Sequence, residues 1–358
     1  MHIVQKKSYD QDINLFEDMR ELATYGGLFL CLLAAPLVLA PFYVKELALV
    51  LIFTIAGLSL MLLVGYTGMV SLGHGAIVGL GAYLQCWLLK QEVPFLLSLP
   101  LASLATGLAA TIVSFPALRL SGMYLAIATL AISLLLTQMY TEWTAFTGGL
   151  QGVAVPKPFI FDYPLSEPVP FYLVSLLLTT ICLFAVKNLL RTRTGRAMIA
   201  LRDSAVAARS MGVDEVRYKA LAFFASSGLA GLSGAMLAHY VGFISPESFD
   251  FLLSVKLLIV ILVGGLGSLP GAALGAAFVV LLPQLTSLLK DSFPGSIAAQ
   301  PSLETVIFGM ILVGTIIWEP QGIYGRWLKI KHYFTVFPTY RKSTFVKQKK
   351  FVKTERMR

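Results

Sequence analysis

The chain has 358 residues, of which 57% are hydrophobic and only 13% charged, with a formal net charge of +9 at pH 7. Soluble domains carry about 25% charged residues, so most of this chain belongs where an ionised group costs roughly 2.5–3.5 kcal/mol at a helix centre. A soluble globular domain is excluded, and a polytopic membrane protein is indicated.

The first 25 residues read as a cytoplasmic N-terminal segment. Asp10, Asp12, Glu17, Asp18 and Glu21 stand there beside three basic residues, unlike the basic start and apolar core of a signal peptide. Ten apolar segments follow, over about 26–43, 47–67, 69–89, 95–116, 122–141, 169–187, 219–241, 255–267, 270–287 and 303–319. Several reach the roughly 20 residues that a bilayer crossing needs. Cys31, Cys86 and Cys182 all fall inside these runs, which argues against a disulfide scaffold. The predicted fold is all-α and polytopic, with about ten transmembrane segments and glycine-rich broken helices. A transmembrane domain covers 26–319 and a basic cytoplasmic tail covers 320–358.

Charge sets the orientation. The polar segment 187–219 holds eight basic and three acidic residues, and the tail after Gly325 holds eleven basic residues and one acid, Glu355. Such clusters mark cytoplasmic faces. Beside membrane helices they face anionic lipid headgroups more often than nucleic acid. With a cytoplasmic loop at 188–218, six crossings precede it, four follow, and both termini are inside. Arg119 then lies in an inner turn. The outer segments hold Lys45, Lys90, Lys157 and Lys290 against Glu46, Glu92, Glu142, Asp162, Glu167, Glu247, Asp250, Asp291 and Glu304, so the outside is acid-rich.

Two uncharged runs are too long for one crossing. Leu47–Leu89 must fold back near Gly65-Tyr-Thr-Gly68 or Ser71-Leu-Gly-His-Gly75, and Leu257–Leu289 near Gly264–Gly271. Val64-Gly-Tyr-Thr-Gly68 and Val263-Gly-Gly-Leu-Gly267 resemble each other, and matching breaks in two halves point to a transport pathway. Gly68, Ser71, His74, Gly75, Tyr124, Thr129, Gly264 and Gly267 are the pathway candidates. A zwitterion can be held there by backbone dipoles without a charged side chain. Gly75, Gly79 and Gly81 also suit close helix packing, as do Gly228, Gly231 and Gly234. His74 is either functional at membrane depth or a side chain reaching water at the inner interface. The loop 142–168, with Thr147-Gly-Gly-Leu-Gln-Gly152 and four prolines, reads as an irregular outer cap or a plain connector.

Catalytic motifs are missing: no Gly-x-Ser-x-Gly elbow, no His-Glu-x-x-His and no Gly-x-x-x-x-Gly-Lys-Ser/Thr phosphate loop. The central loop is more informative. Thr194-Gly195 precede a short helix over Arg196–Arg202. Asp203-Ser204 are an N-cap pair for Ala205–Met211, Gly212 supplies a left-handed stop, and Asp214 caps a third helix. The result is a jointed knob, or, on composition alone, an amphipathic helix lying on lipid.

Gly195-Arg-Ala-Met-Ile-Ala-Leu-Arg-Asp-Ser-Ala-Val-Ala-Ala-Arg-Ser-Met-Gly-Val-Asp-Glu-Val-Arg-Tyr-Lys219 resembles the ATPase-docking loop of the branched-chain amino acid ABC permeases, M-type subunit. Gly65–Gly75, Gly122–Ala131, Gly148–Gly152 and Gly242–Phe249 resemble other stretches of that family in the same order. Val206 stands where the general importer pattern has glutamate, which bears on the charge-mediated part of docking. The resemblance implies an ABC importer permease (type II-like) fold in a bacterial inner membrane. It also implies a homologous second permease in a heterodimer, two cytoplasmic ATPases and a periplasmic binding protein. No cofactor is bound by this chain, and ATP and Mg enter through the ATPases. Gly195, Arg196, Arg202, Asp203, Ala207, Ala208, Arg209, Met211 and Gly212 are the implied coupling residues, with the three arginines meeting acidic ATPase surface. The alternative is an ATP-independent secondary transporter or channel. It would be expected to carry ionisable relay groups at mid-depth, of which the sequence places essentially none. Family members carry amides, urea and aromatic acids as well, so the solute is not legible.

Overall fold

A computed structural model describes residues 19–160, 163–165, 167–290, 302–319 and 321–336. The first 18 residues of the expected N-terminal segment and residues 337–358 of the expected tail lie outside these. Each of the ten apolar segments contains a helix: α1 (Met19–Val38), α2 (Pro41–Thr67), α3 (His74–Lys90), α4 (Phe95–Ser114), α5 (Met123–Glu142), α6 (Pro168–Arg191), α9 (Glu215–Val241), α10 (Phe251–Gly264), α11 (Leu269–Lys290) and α12 (Ser302–Trp318). Between α6 and α9 lie α7 (Arg193–Asp203) and α8 (Ala205–Ser210), and α13 (Gly322–Val336) follows α12.

Helix α2 is the axis of the bundle. A helix that is apolar on every side has to be surrounded, and α2 is buried almost throughout from Val50 to Leu63. Pro41 opens it, where a missing N–H costs nothing, and Gly68 closes it at φ 70°. The hydroxyls of Thr54, Ser59 and Thr67 donate to carbonyls of α2 itself, and neighbours donate to its backbone: Ser226 Oγ on α9 to Ser59 O at 2.7 Å and Thr179 Oγ1 on α6 to Leu51 O at 3.2 Å.

Glycine is required where α9 crosses α3 and α4. A Cβ on Gly234 would overlap the Val78 carbonyl, and one on Gly231 would fall 2.5 Å from Thr106 Cβ. These glycines therefore serve close packing, which in lipid supplies much of the association energy. Gln85 Nε2 donates to Ser98 Oγ at 2.8 Å and lies 3.3 Å from His239 Nε2, linking α3, α4 and α9 by polar contacts.

The outer cap is not wholly irregular. Val153–Ala154 (β1) pairs antiparallel with Phe243–Ile244 (β4), while Phe159–Ile160 (β2) and Tyr163–Pro164 (β3) form a second pair. The all-α expectation is modified to this small extent.

The segment read as a crossing over 255–267 takes a different form. After Gly242 the chain runs through β4 and a 3-10 turn, Pro246–Phe249, and only then enters α10. That helix has 14 residues, about 21 Å, against a hydrocarbon core of about 30 Å. It bends by 120° into α11, a turn that Gly265 makes at φ 114°. Five helices, α2, α4, α5, α6 and α9, are individually long and apolar enough to cross a membrane, and α10 with α11 passes only as a bent pair. The start of α10 also lies deep. Phe249 packs on Gly79 and Tyr83, and a Cβ on Gly75 would lie 2.8 Å from Asp250 O. Gly75 is 15 residues from Lys90 along α3, about 22 Å at 1.5 Å per residue. Asp250 is thus not an outer-surface acid.

Substitution separates packing glycines from tolerant ones. Gly234→Val should destabilise the solubilised protein by about 1–3 kcal/mol or more through overpacking, whereas Gly228→Ala, whose Cβ meets only ordinary contacts at 3.5 Å, should be neutral or slightly stabilising. Fluorescence-detected thermal unfolding in detergent reads both; equal melting temperatures would contradict the packing.

Candidate functional site

The knob between α6 and α9 is jointed as its capping residues require. Thr192 Oγ1 accepts from Gly195 N at 3.3 Å, Ser204 Oγ from Ala207 N at 3.3 Å and Asp214 Oδ1 from Arg217 N at 3.1 Å. Each satisfies an otherwise orphaned N–H at the start of α7, α8 or α9. Gly195 is buried at the first joint, where a Cβ would overlap the backbone of Leu189 and Leu190. Gly212 takes φ 84° at the last joint with open space around it. The third joint is also clamped by charge: Glu215 pairs with Lys219 at 2.7 Å and with Arg209 at 3.3 Å. Lys219 Nζ further donates to Leu120 O at 3.1 Å, tying the knob to the turn after α4.

The two sides of the knob differ. Val206 and Met211 are 71% and 84% exposed, and Ala207, Ser210 and Gly212 lie beside them in solvent. Ala208 is buried and holds the helix closed, with its N–H on Ser204 O at 2.9 Å. All three coupling arginines are held within the chain. Arg196 Nη1 donates to Arg191 O at 2.9 Å, Arg209 pairs with Glu215, and Arg202 turns toward the membrane. The exposed tip therefore combines the apolar Val206 and Met211 with the paired but still exposed Arg209.

Arg202 brings the two kinds of site residue together. Its Nη1 donates to Gly65 O at 2.8 Å while Asp203 Oδ1 accepts from its other guanidinium nitrogens at 2.9 and 3.1 Å. A Cβ on Gly68 would sit 3.2 Å from Arg202 Cγ, and one on Gly267 3.6 Å from Arg202 Nη1. The two breaks also touch directly. Gly267 N donates to Met61 Sδ at 3.1 Å, and a Cβ on Gly65 would come within 2.9 Å of Gly267 N. At its other end the second break is equally tight, since Gly264 leaves no room for a Cβ beside the Gly271 carbonyl. Neither break would close around a larger residue at these positions.

The remaining candidates are scattered. His74 is fully enclosed, with Nε2 2.8 Å from Ser59 Oγ and 3.5 Å from Ser226 Oγ. It joins α2, α3 and α9 and does not reach water at the inner interface. Thr129 is buried, its hydroxyl accepting from Leu72 N at 3.0 Å. Gly75 N donates to Ser254 Oγ at 2.8 Å, and Ser71 is buried. Tyr124 is 74% exposed at the start of α5. Sequence reasoning named Arg202 but missed its bond to Gly65, which lies 137 residues away and which nothing local announces.

A family model for the permease component of branched-chain amino acid transport systems matches residues 42–316. The high-affinity branched-chain amino acid transport system permease proteins LivM of Salmonella typhimurium and Escherichia coli are each 35% identical over 326 residues, covering 83% of this chain and 74% of theirs. The permease protein LivH of Escherichia coli is 24% identical over 295 residues, covering 74% of this chain and 91% of its own. No solved structure matches the chain.

The first joint is testable by itself. Gly195→Val should force the α6–α7 turn open and speed tryptic cleavage at Arg193, Arg196 and Arg202 in inside-out vesicles several-fold. Gly212→Ala should cost only about 1–2 kcal/mol of local strain and leave the cleavage pattern close to wild type.

Proposed function

The chain belongs to the branched-chain amino acid transport permease family, and on that premise we propose that it is one membrane subunit of an ATP-driven importer. It would sit in a bacterial inner membrane with both termini inside. A related second permease would complete the membrane unit, two ATPases would bind below, and a periplasmic protein would deliver the solute. Branched-chain amino acids are the solute class in the names of the relatives, and a related small polar or organic acid remains within the proposal.

The observation that carries this reading is the contact of Arg202 with Gly65 O. A knob that merely recruited a partner would need no hydrogen bond to a break in the bundle's central helix. In the proposed mechanism, the exposed tip around Val206 and Met211 seats in an ATPase groove. ATP-driven closure then moves α7 and α8 as one lever, and Arg202 passes the displacement to the 65–68 and 264–267 breaks. The arginines contribute to the lever's stiffness, and Arg209, 58% exposed while paired with Glu215, also stays available to acidic ATPase surface. The proposed topology has support too: Lys219–Leu120 and Arg202–Gly65 put the knob, the turn after α4 and the end of α2 on one side.

Three outcomes follow for the assembled complex. Ala208→Pro removes the Ala208 N–H bond and should cost about 3 kcal/mol in α8, abolishing uptake while leaving insertion intact. Met211→Glu should weaken copurification of the ATPase about tenfold, roughly 1.4 kcal/mol. Arg202→Ala should preserve ATPase binding but lose uptake per ATP hydrolysed. Coupled uptake in Arg202→Ala, or wild-type uptake that survives ATP depletion, would refute the lever.

A further inference from the structure

Lys256 takes no part in the lever. It lies in the second turn of α10, and its Nζ stands 5.3 Å from the centre of the Phe53 ring. Among the described residues no carboxylate pairs with it. The acid on its own helix, Asp250, is occupied in capping Leu253 N at 3.1 Å.

Its depth follows from its neighbours. Ser254 accepts from Gly75 N, about 22 Å along α3 from Lys90. One turn beyond Lys256, Val260 meets Gly57, where a Cβ would lie 3.0 Å from Val260 Cγ1. Gly57 is 16 residues into the 27-residue α2, near its middle. The Lys256 backbone is therefore at the level of the hydrocarbon core, because α10 starts within the bilayer. Its face is not closed by the chain's own core either: Leu252, one turn earlier, is 69% exposed, and Lys256 and Ile259 are half-buried.

A lysine on that face is expensive in lipid. The penalty for a charge at a helix centre exceeds what one cation–π contact returns. Lysines in membrane segments accordingly face bundle interiors or water-filled cavities. The Asp250 carboxylate makes the start of α10 a poor place for an anion, so the dipole there does not do the work that backbone ends do in other broken helices.

We propose that Lys256 faces the aqueous translocation pathway, where its ammonium receives the carboxylate of the passing solute. This rests on the importer reading. A hydrated ammonium binds a carboxylate weakly, which suits a point of transit that must release what it receives.

The test uses the complete complex in nanodiscs and proteoliposomes. In a background with Cys31, Cys86 and Cys182 replaced by serine, Lys256→Cys should react with the charged, membrane-impermeant reagent sulfonatoethyl methanethiosulfonate at least tenfold faster than Leu177→Cys. Leu177 is 59% exposed on the outer face of α6. In radiolabelled leucine uptake, Lys256→Met should lower the maximal rate about tenfold with ATP hydrolysis retained, and Lys256→Arg should restore most of it. Thiol reactivity no greater than at Leu177→Cys, or wild-type leucine uptake by Lys256→Met, overturns the proposal. If the wild-type complex takes up leucine without ATP, the importer reading fails instead; if it takes up no leucine, only leucine as the solute is excluded; in both cases thiol reactivity alone decides the place of Lys256.

Discussion

A helix that stops inside or at the edge of hydrocarbon leaves its last carbonyls without water, and each must find a protein donor. The end of α2 meets that demand in two ways. The N–H groups of Gly68 and Met69 both turn back to Leu63 O, and Gly65 O takes a guanidinium N–H from Arg202. The second solution ties a polar loop to the end of the bundle's central apolar helix. Because the donor comes from the knob, the knob cannot shift far without either dragging the break with it or leaving a carbonyl unpaired. The same hydrogen bond therefore satisfies the backbone and joins two functional parts.

The rest of the bundle is arranged so that α2 can serve as a fixed axis. Its uniform apolarity forces neighbours onto every side, and the glycines of α3 and α9 let those neighbours approach to backbone contact. His74 and its two serines fill the junction between α2, α3 and α9. The breaks in the helical path lie at the ends: the knob joints at Gly195 and Gly212, and the 120° bend after α10. A buried axis with the breaks gathered at its end is the shape that the proposed lever needs, and it follows from where glycine and polar residues were placed.

The depth of α10 changes the balance between readings. Taken from the sequence, Asp250 was an outer-loop acid and mid-depth held essentially no ionisable groups. Folded, Asp250 packs against the start of α3 and Lys256 against α2, away from the outer ends of those helices, so the lack of such groups no longer argues against an ATP-independent transporter. The case for an ATP-driven permease rests on the family and on the knob's link to the breaks.

Much of this protein is legible in order along the chain. Ten apolar runs become ten helices because burial in lipid demands saturated backbone hydrogen bonds, and a run of apolar residues satisfies them only as a helix. The knob's joints are equally local: Thr192, Ser204, Asp214, Gly195 and Gly212 act on residues within a few positions. What composition could not supply was direction and depth. Whether Arg202 points to a partner or back to Gly65, whether His74 meets water or Ser226, and how far α10 lies below the surface depend on residues more than a hundred positions apart. Such contacts are set by which helices pack together, and that is decided by the shape of the whole bundle and not by any one of its segments.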